Sequence, residues 1–261
     1  MIQDVNAPLE RFPEATPMPG DWVLLVKGPQ VGLAPWSPVA KVSTPLVRVG
    51  NITLFLGAVP GMEVGSSQKL RTIADPVLRF GAVSALHLAR WLLTHRQCGR
   101  CGAPLVRHGS ALNCVECGQE HYPTIAPAVI LALTYHGRLL VTHYANRPYR
   151  GPALVAGYCE VGETVEQTCR REALEETGLT VTSLHYYGSQ PWGLSGSLLL
   201  GFFGEVESPE VTLADGELAD AEWLLPEELP PPPDAAGPLS LTATMIEAWR
   251  HGTALERTPL A

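Results

Sequence analysis

Three glutamates sit close together in the segment that runs from Gly157 to Leu179, GYCEVGETVEQTCRREALEETGL. On a helix, Glu172 and Glu176 are four residues apart and Glu172 and Glu175 three, so all three can share one face. Like charges so placed oppose folding by a few tenths of a kcal/mol per pair. Mg²⁺ or Mn²⁺ is the natural compensation, because a hard divalent cation takes carboxylate oxygens and keeps positions open for phosphate oxygens and water. The alternative is a solvated acidic face, which has no use for Gly157, Glu163 and Arg171 at their particular offsets.

A second constellation is Cys98, Cys101, Cys114 and Cys117, spaced C-x2-C-x12-C-x2-C. Two residues between cysteines let a tight turn aim both sulfurs at one point, and two such turns make the corners of a tetrahedral zinc site. With four protein ligands the zinc is structural. A pair of disulfides is the other reading, although nothing in the chain points to an oxidising compartment. Arg96, Arg100, Arg107 and His108 flank the knuckles. They either contact nucleic acid or offset the net charge of −2 that four thiolates leave on one zinc. Cys159 and Cys169 fall outside the pattern and read as small buried hydrophobes.

These groups need elements to hold them. Strand-like runs at Trp22–Val26 and Ile52–Leu56 lead into a helical pattern from Ala74, with Val77, Phe80, Val83, Leu86, Leu88 and Trp91 near helical spacing. Arg96 to Tyr122 has too little apolar content to fold without a staple. Then come a strand (Ala128–Thr134), a turn at His136-Gly137, a strand (Arg138–His143), a glycine-rich loop, and a helix from Thr164 to Thr177 that Gly178 ends. More strands follow, then a stiff linker at Pro230–Pro233 and a helix over Leu241–Trp249. The order suggests an α/β sandwich whose loops carry the site. The predicted division is an N-terminal α/β domain over 1–95, a zinc ribbon over 96–122 and a further domain over 123–261.

With 46% apolar and 17% charged residues the chain is not disordered. Its net charge of −8 argues against tight binding of long nucleic acid, which draws on phosphate neutralisation. No apolar run is long enough to span a bilayer, and the start lacks the basic patch and apolar run of a secretory signal, so a cytoplasmic location is expected.

The carboxylate segment resembles the Nudix box, G-x5-E-x7-R-E-U-x-E-E-x-G-U, with Gly157, Glu163, Arg171, Glu172, Glu175, Glu176, Gly178 and Leu179 in register; Ala173 replaces a larger aliphatic. The resemblance implies an α+β class protein, a Nudix α/β/α sandwich with a mixed sheet, preceded by the ribbon and the small N-terminal domain. It implies hydrolysis of a nucleoside diphosphate linked to another group. Glu172, Glu175, Glu176, the carbonyl of Ala156 and Glu217 would be the Mg²⁺ or Mn²⁺ ligands. Arg171 would pair with Glu163 and fix loop against helix.

Two further segments are similar to the NADH pyrophosphatase branch, whose members also remove NAD caps from RNA: Tyr122-Pro123-Thr124-Ile125-Ala126-Pro127 after the ribbon, and Ser189-Gln190-Pro191-Trp192. This implies cleavage of NADH or NAD into nicotinamide mononucleotide and AMP, the 5′ end of NAD-capped RNA as a partner, and a homodimer. Tyr122 and the run Gln190, Pro191, Trp192, Gly193, Leu194, Ser195, Gly196 and Ser197 would contact the dinucleotide, partly by stacking. Lys27 and Arg71 loosely match basic substrate-contacting positions. After Trp192 the family pattern P-F-P gives way to Gly193, Leu194 and Ser195, so a more mobile loop is expected. ADP-ribose or dinucleoside polyphosphates are the alternative substrates, and a nucleotide-sensing regulator whose ribbon binds nucleic acid is the alternative class.

Overall fold

The computed structural model describes residues 1–146, 151–213, 216–231 and 239–255. Two compact units divide them. One comprises 2–125 together with 192–196, the other Met1, 126–191 and 197–261.

In the first unit, strands β1 (Leu9–Arg11), β2 (Trp22–Lys27), β3 (Gln30–Pro35), β4 (Lys41–Val49), β5 (Ile52–Ala58) and β6 (Gly65–Ser66) form a sheet in the order β1-β4-β5-β2-β3-β6. Only β2 and β5 pair in parallel. Helix α1 (Pro76–Thr94) starts where the Asp75 carboxylate accepts from the Val77 and Leu78 amides, with Pro76 at the first position. Its Leu78, Ala82, Leu86 and Ala89, at 3- and 4-residue spacing, pack on Leu24, Leu46 and Leu54 of the sheet. The helical pattern expected from Ala74 thus begins two residues later, because Asp75 is a cap and not a helical residue. Beyond α1, β7 (Leu105–His108), β8 (Ala111–Cys114) and β9 (Glu120–His121) make a small antiparallel sheet in that order.

The second unit is built on β10 (Ala126–Tyr135), a run without charge that is buried along most of its length. A strand buried on both faces is apolar throughout, not alternating. Its Val129, Leu131 and Leu133 face one cluster and Ile130 and Ala132 the other. Around it lie β11 (Arg138–Tyr144), β12 (Val155–Tyr158), β13 (Val181–Trp192), β14 (Ser197–Val206) and β15 (Leu218–Leu224), in the order β13-β14-β10-β11-β15, with β12 also on β10. The β10–β14 pairing is parallel and β10's other pairings antiparallel, so the sheet is mixed. His136 and Gly137, both at positive φ, close the β10–β11 hairpin.

Helix α2 (Val165–Thr177) buries Cys169 and Ala173 against the odd residues of β10. Helix α3 (Leu241–Arg250) buries Leu241, Met245 and Ile246 against the even ones. The expected α/β/α sandwich with a mixed sheet is what forms; of the two cysteines expected to be buried, Cys169 is, whereas Cys159 is half-buried. Of the linker expected at 230–233, Pro232 and Pro233 lie outside the described residues. No helix among the described residues is long and apolar enough to cross a membrane.

Candidate functional site

Helix α2 is set by its ends. Thr164 Oγ1 accepts from the Gln167 amide while Gln167 Oε1 accepts from the Thr164 amide, a reciprocal cap. At the other end Gly178 adopts φ 71°, and its amide closes the helix onto Leu174.

Between these ends Arg171 is a hub. Its Nε donates to Glu163 Oε1 at 2.7 Å and Nη2 to Glu163 Oε2 at 3.0 Å, a two-pronged pair that ties the glycine-rich loop to the helix. Its Nη1 donates to Glu172 Oε1 at 2.8 Å and Glu175 Oε2 at 2.9 Å, and Nη2 also reaches the Tyr158 carbonyl at 2.9 Å. Arg171, with the Glu160 amide and the Thr168 hydroxyl, holds the Glu163 carboxyl down at about 2.

The Glu172 carboxylate lies directly over Gly157, where any Cβ would collide with it. Burial, first of all, pushes the Glu172 carboxyl up; Arg171 opposes this, and the charges of Glu175 and Glu217 add to it. Glu217, at the end of the β11–β15 ladder where its carbonyl accepts from the Ala145 amide, therefore shares a field with the helix carboxylates. Glu176 is 2% exposed, whereas the Glu175 side chain is 56% exposed. Ala156 lies on β12 opposite Ile130. A glycine that admits the Glu172 carboxylate, the buried Glu176 and the nearby acids Glu175 and Glu217 make an oxygen-rich donor set of the kind a hard divalent cation takes. Among the described residues, no three carboxylates bring oxygens within 4.8 Å of one another; Arg171 holds Glu172 and Glu175.

The four cysteines do meet that spacing. Cys98 and Cys117 Sγ are 3.7 Å apart and Cys101 and Cys114 Sγ 3.4 Å, and no disulfide joins them. A tetrahedron with Zn–S bonds of about 2.3 Å has edges of about 3.8 Å, so the cluster fits zinc. Gly102 and Gly118 take positive φ at the ends of the two knuckles, where their amides return to the Cys98 and Cys114 carbonyls. A hydrogen bond from His121 is the chief cause that brings the Cys98 thiol down to about 6.

The residues expected at the dinucleotide divide. Tyr122 is 58% exposed, with its hydroxyl donating to Glu120 Oε2 at 3.1 Å. The Arg71 guanidinium lies 5.2 Å over the Trp192 ring, while Lys27 is exposed at the β2–β3 hairpin. Pro191 and Ser195 are exposed, and the buried Ser197 hydroxyl pairs with the Tyr158 hydroxyl at 3.3 Å.

Two expectations need correction. Gln190 is fully buried, its Nε2 donating to the Leu239 carbonyl and its Oε1 accepting from the Leu241 amide. It braces the start of α3 and does not present its amide to a ligand. The segment after Trp192 is packed, not loose. Leu194 is 8% exposed in the core beneath α1, and Gly193 abuts the Val83 carbonyl so closely that no side chain fits. Glycine there allows close approach and is not a source of slack.

Residues 123–245, which hold the hub, the cap and the two helical layers, match the NUDIX domain model. Over those residues the chain is similar to a NUDIX domain. It is similar to the NAD-capped RNA hydrolase NudC of Haemophilus influenzae (strain PittEE), at 40% identity over 156 residues, which is 56% of this chain and 59% of that protein. The NudC of Vibrio cholerae is 36% identical over 159 residues, 60% of this chain and 59% of the relative. The chain thus spans less than two thirds of the length of these relatives. A Nudix hydrolase crystal structure from Nitrosomonas europaea superposes with a TM-score of 0.46 at 22% identity, over 52% of this chain and 80% of that one.

Proposed function

We propose that the chain is a divalent-metal-dependent hydrolase that splits the pyrophosphate bond of NADH or NAD into nicotinamide mononucleotide and AMP, and that it also removes NAD caps from RNA. The observation that carries the reading is the Arg171 hub, which fixes Glu163 and Glu172 across the glycine loop inside a Nudix domain whose relatives are named for NAD-capped RNA hydrolysis. Glu172, Glu175, Glu176, Glu217 and the Ala156 carbonyl would hold Mg²⁺ or Mn²⁺, which when bound polarises the diphosphate and lowers the pKa of a water. Arg171 and Glu163 hold the glycine loop against the helix, and Glu172 and Glu175 would turn from Arg171 toward the ion on binding. Tyr122 and Trp192 supply stacking faces, a contact worth about 1 to 3 kcal/mol per base without a specific hydrogen-bond pattern. Arg71 adds a cation beside Trp192.

The cysteine cluster holds a structural zinc in this reading. The exposed Arg96, Arg100 and Arg107 offset its charge. A homodimer, a cytoplasmic location and the three-part division at 95 and 122 belong to the same proposal.

Product analysis tests it. NADH incubated with the protein and Mn²⁺ should yield AMP and reduced nicotinamide mononucleotide, with none formed in EDTA. Faster turnover of ADP-ribose than of NADH would overturn the substrate, and failure to release 5′-monophosphate RNA from a NAD-capped transcript would remove the decapping part.

A further inference from the structure

Helix α1 presents Val83, His87 and Arg90 at i, i+4 and i+7, one face of the helix. Each meets the segment 192–196. Arg90 Nη1 donates to the Leu194 carbonyl at 2.6 Å, a charge-assisted bond that is partly buried. The Val83 carbonyl sits against Gly193 and leaves no room for a side chain. Gly196, at φ 74°, faces the His87 ring, whose Nε2 is 2.8 Å from the Thr124 carbonyl two residues after Tyr122. Within the segment the Ser195 and Gly196 amides both donate to the Trp192 carbonyl, closing a tight turn, while Leu194 fills the core. Burial lowers the pKa of Arg90, which means its charge is kept at some cost and for this carbonyl. No motif names Arg90, and its partner is 104 residues away.

We propose that α1 is the seat of the 192–196 turn and that Arg90 is a positioning residue, presenting Trp192 at a fixed angle so that the seat governs how tightly the nucleotide is held and not how fast its pyrophosphate is cut. The proposal rests on the reading above that this segment contacts the dinucleotide. Positioning acts on affinity when the held group binds ground state and transition state alike, so KM rises with kcat unchanged.

The test uses the full chain. Arg90→Met keeps the apolar stem and removes the donor; Arg90→Lys restores a cation. Arg90→Met should speed amide hydrogen exchange in the peptide containing Ser195 and Gly196, leave exchange in α2 unchanged, and raise KM for NADH by up to about tenfold with kcat retained, since the energy of one charged hydrogen bond bounds what the loosened turn can lose. Arg90→Lys should recover part of the KM. If Arg90→Met does not fold, Gly193→Ala makes the same test from the other side, since its Cβ must displace the turn from Val83. Unchanged exchange would overturn the seat. Faster exchange with unchanged KM would overturn its bearing on affinity, and so would a loss confined to kcat. Should the unmodified chain leave NADH intact, the failure lies with the substrate reading, and the exchange rates alone still decide whether α1 seats the turn.

Discussion

Arg171 donates to three carboxylates and one carbonyl from a single planar fork, and with the Thr168 hydroxyl it ties Glu163 of the glycine loop to α2. Replacing it by Gln should cost about 10- to 100-fold in activity, the usual loss when a partner that orients metal ligands is removed. Arg171→Lys should recover little, because an ammonium cannot reproduce the two parallel bonds to Glu163. Steady-state rates at saturating Mn²⁺ for both variants check this.

Glu163 gives a pH signature. Its carboxyl is depressed from 4.5 to about 2, so its contribution to stability is complete above pH 4.5 and fades as pH falls through 2. Glu163→Gln should therefore be less stable than the unmodified chain at pH 7, with the gap closing toward pH 2. Urea midpoints across that range would show it, and a gap independent of pH would count against the pair. The Arg171–Glu163 link was legible in the sequence because both residues belong to one short segment with fixed offsets. Gln190 was not: the groups it bonds, at Leu239 and Leu241, are about fifty residues away, and no local spacing encodes a side chain that reaches a distant helix start.

Helix α2 owes its position to its two ends as much as to its buried face. Thr164→Ala removes one half of the reciprocal cap and should cost about 1 kcal/mol. Gly178→Ala should cost about as much, since a Cβ at φ 71° is strained and would also crowd Thr212. Chemical denaturation followed by helical circular dichroism measures both, and a loss well below this for Thr164→Ala would mean that packing alone holds the helix.

Caps, a charge-free ten-residue strand and a glycine stop made α2, β10 and the β10–β11 hairpin readable from the sequence. In the N-terminal sheet only β2 and β5 are evident from the sequence pattern. Its other strands are short, or carry residues such as Pro45 and Gly32 that blunt the alternating pattern, and what fixes them is pairing with neighbours far along the chain. The turn after Trp192 departs from the sequence expectation for a related reason. Glycine and serine in place of proline signal freedom only when nothing packs on them, and α1 does.

At the scale of the molecule, two units with separate cores predict separable responses. A strong chelator or Cys114→Ala should lower the unfolding temperature of the N-terminal unit, because β7 to β9 have little apolar core besides Leu105 and Leu112 and depend on the cluster. The unit containing α2 should unfold at an unchanged temperature. Calorimetry paired with zinc analysis, which should find about one zinc per chain before chelation, would test this. A single transition moving as a whole would show the two units to be coupled.

The chain also enters the N-terminal unit twice, once as 2–125 and again for the five residues 192–196. No single cut can separate the two. A fragment ending at residue 125 would lose Leu194 from beneath α1 and leave the Arg90 guanidinium without its carbonyl. One beginning at 126 would carry Leu194 bare on a strand connection. Both halves made alone should be sticky and short-lived, and co-expression should rescue them, with the second half donating its hairpin tip to complete the first.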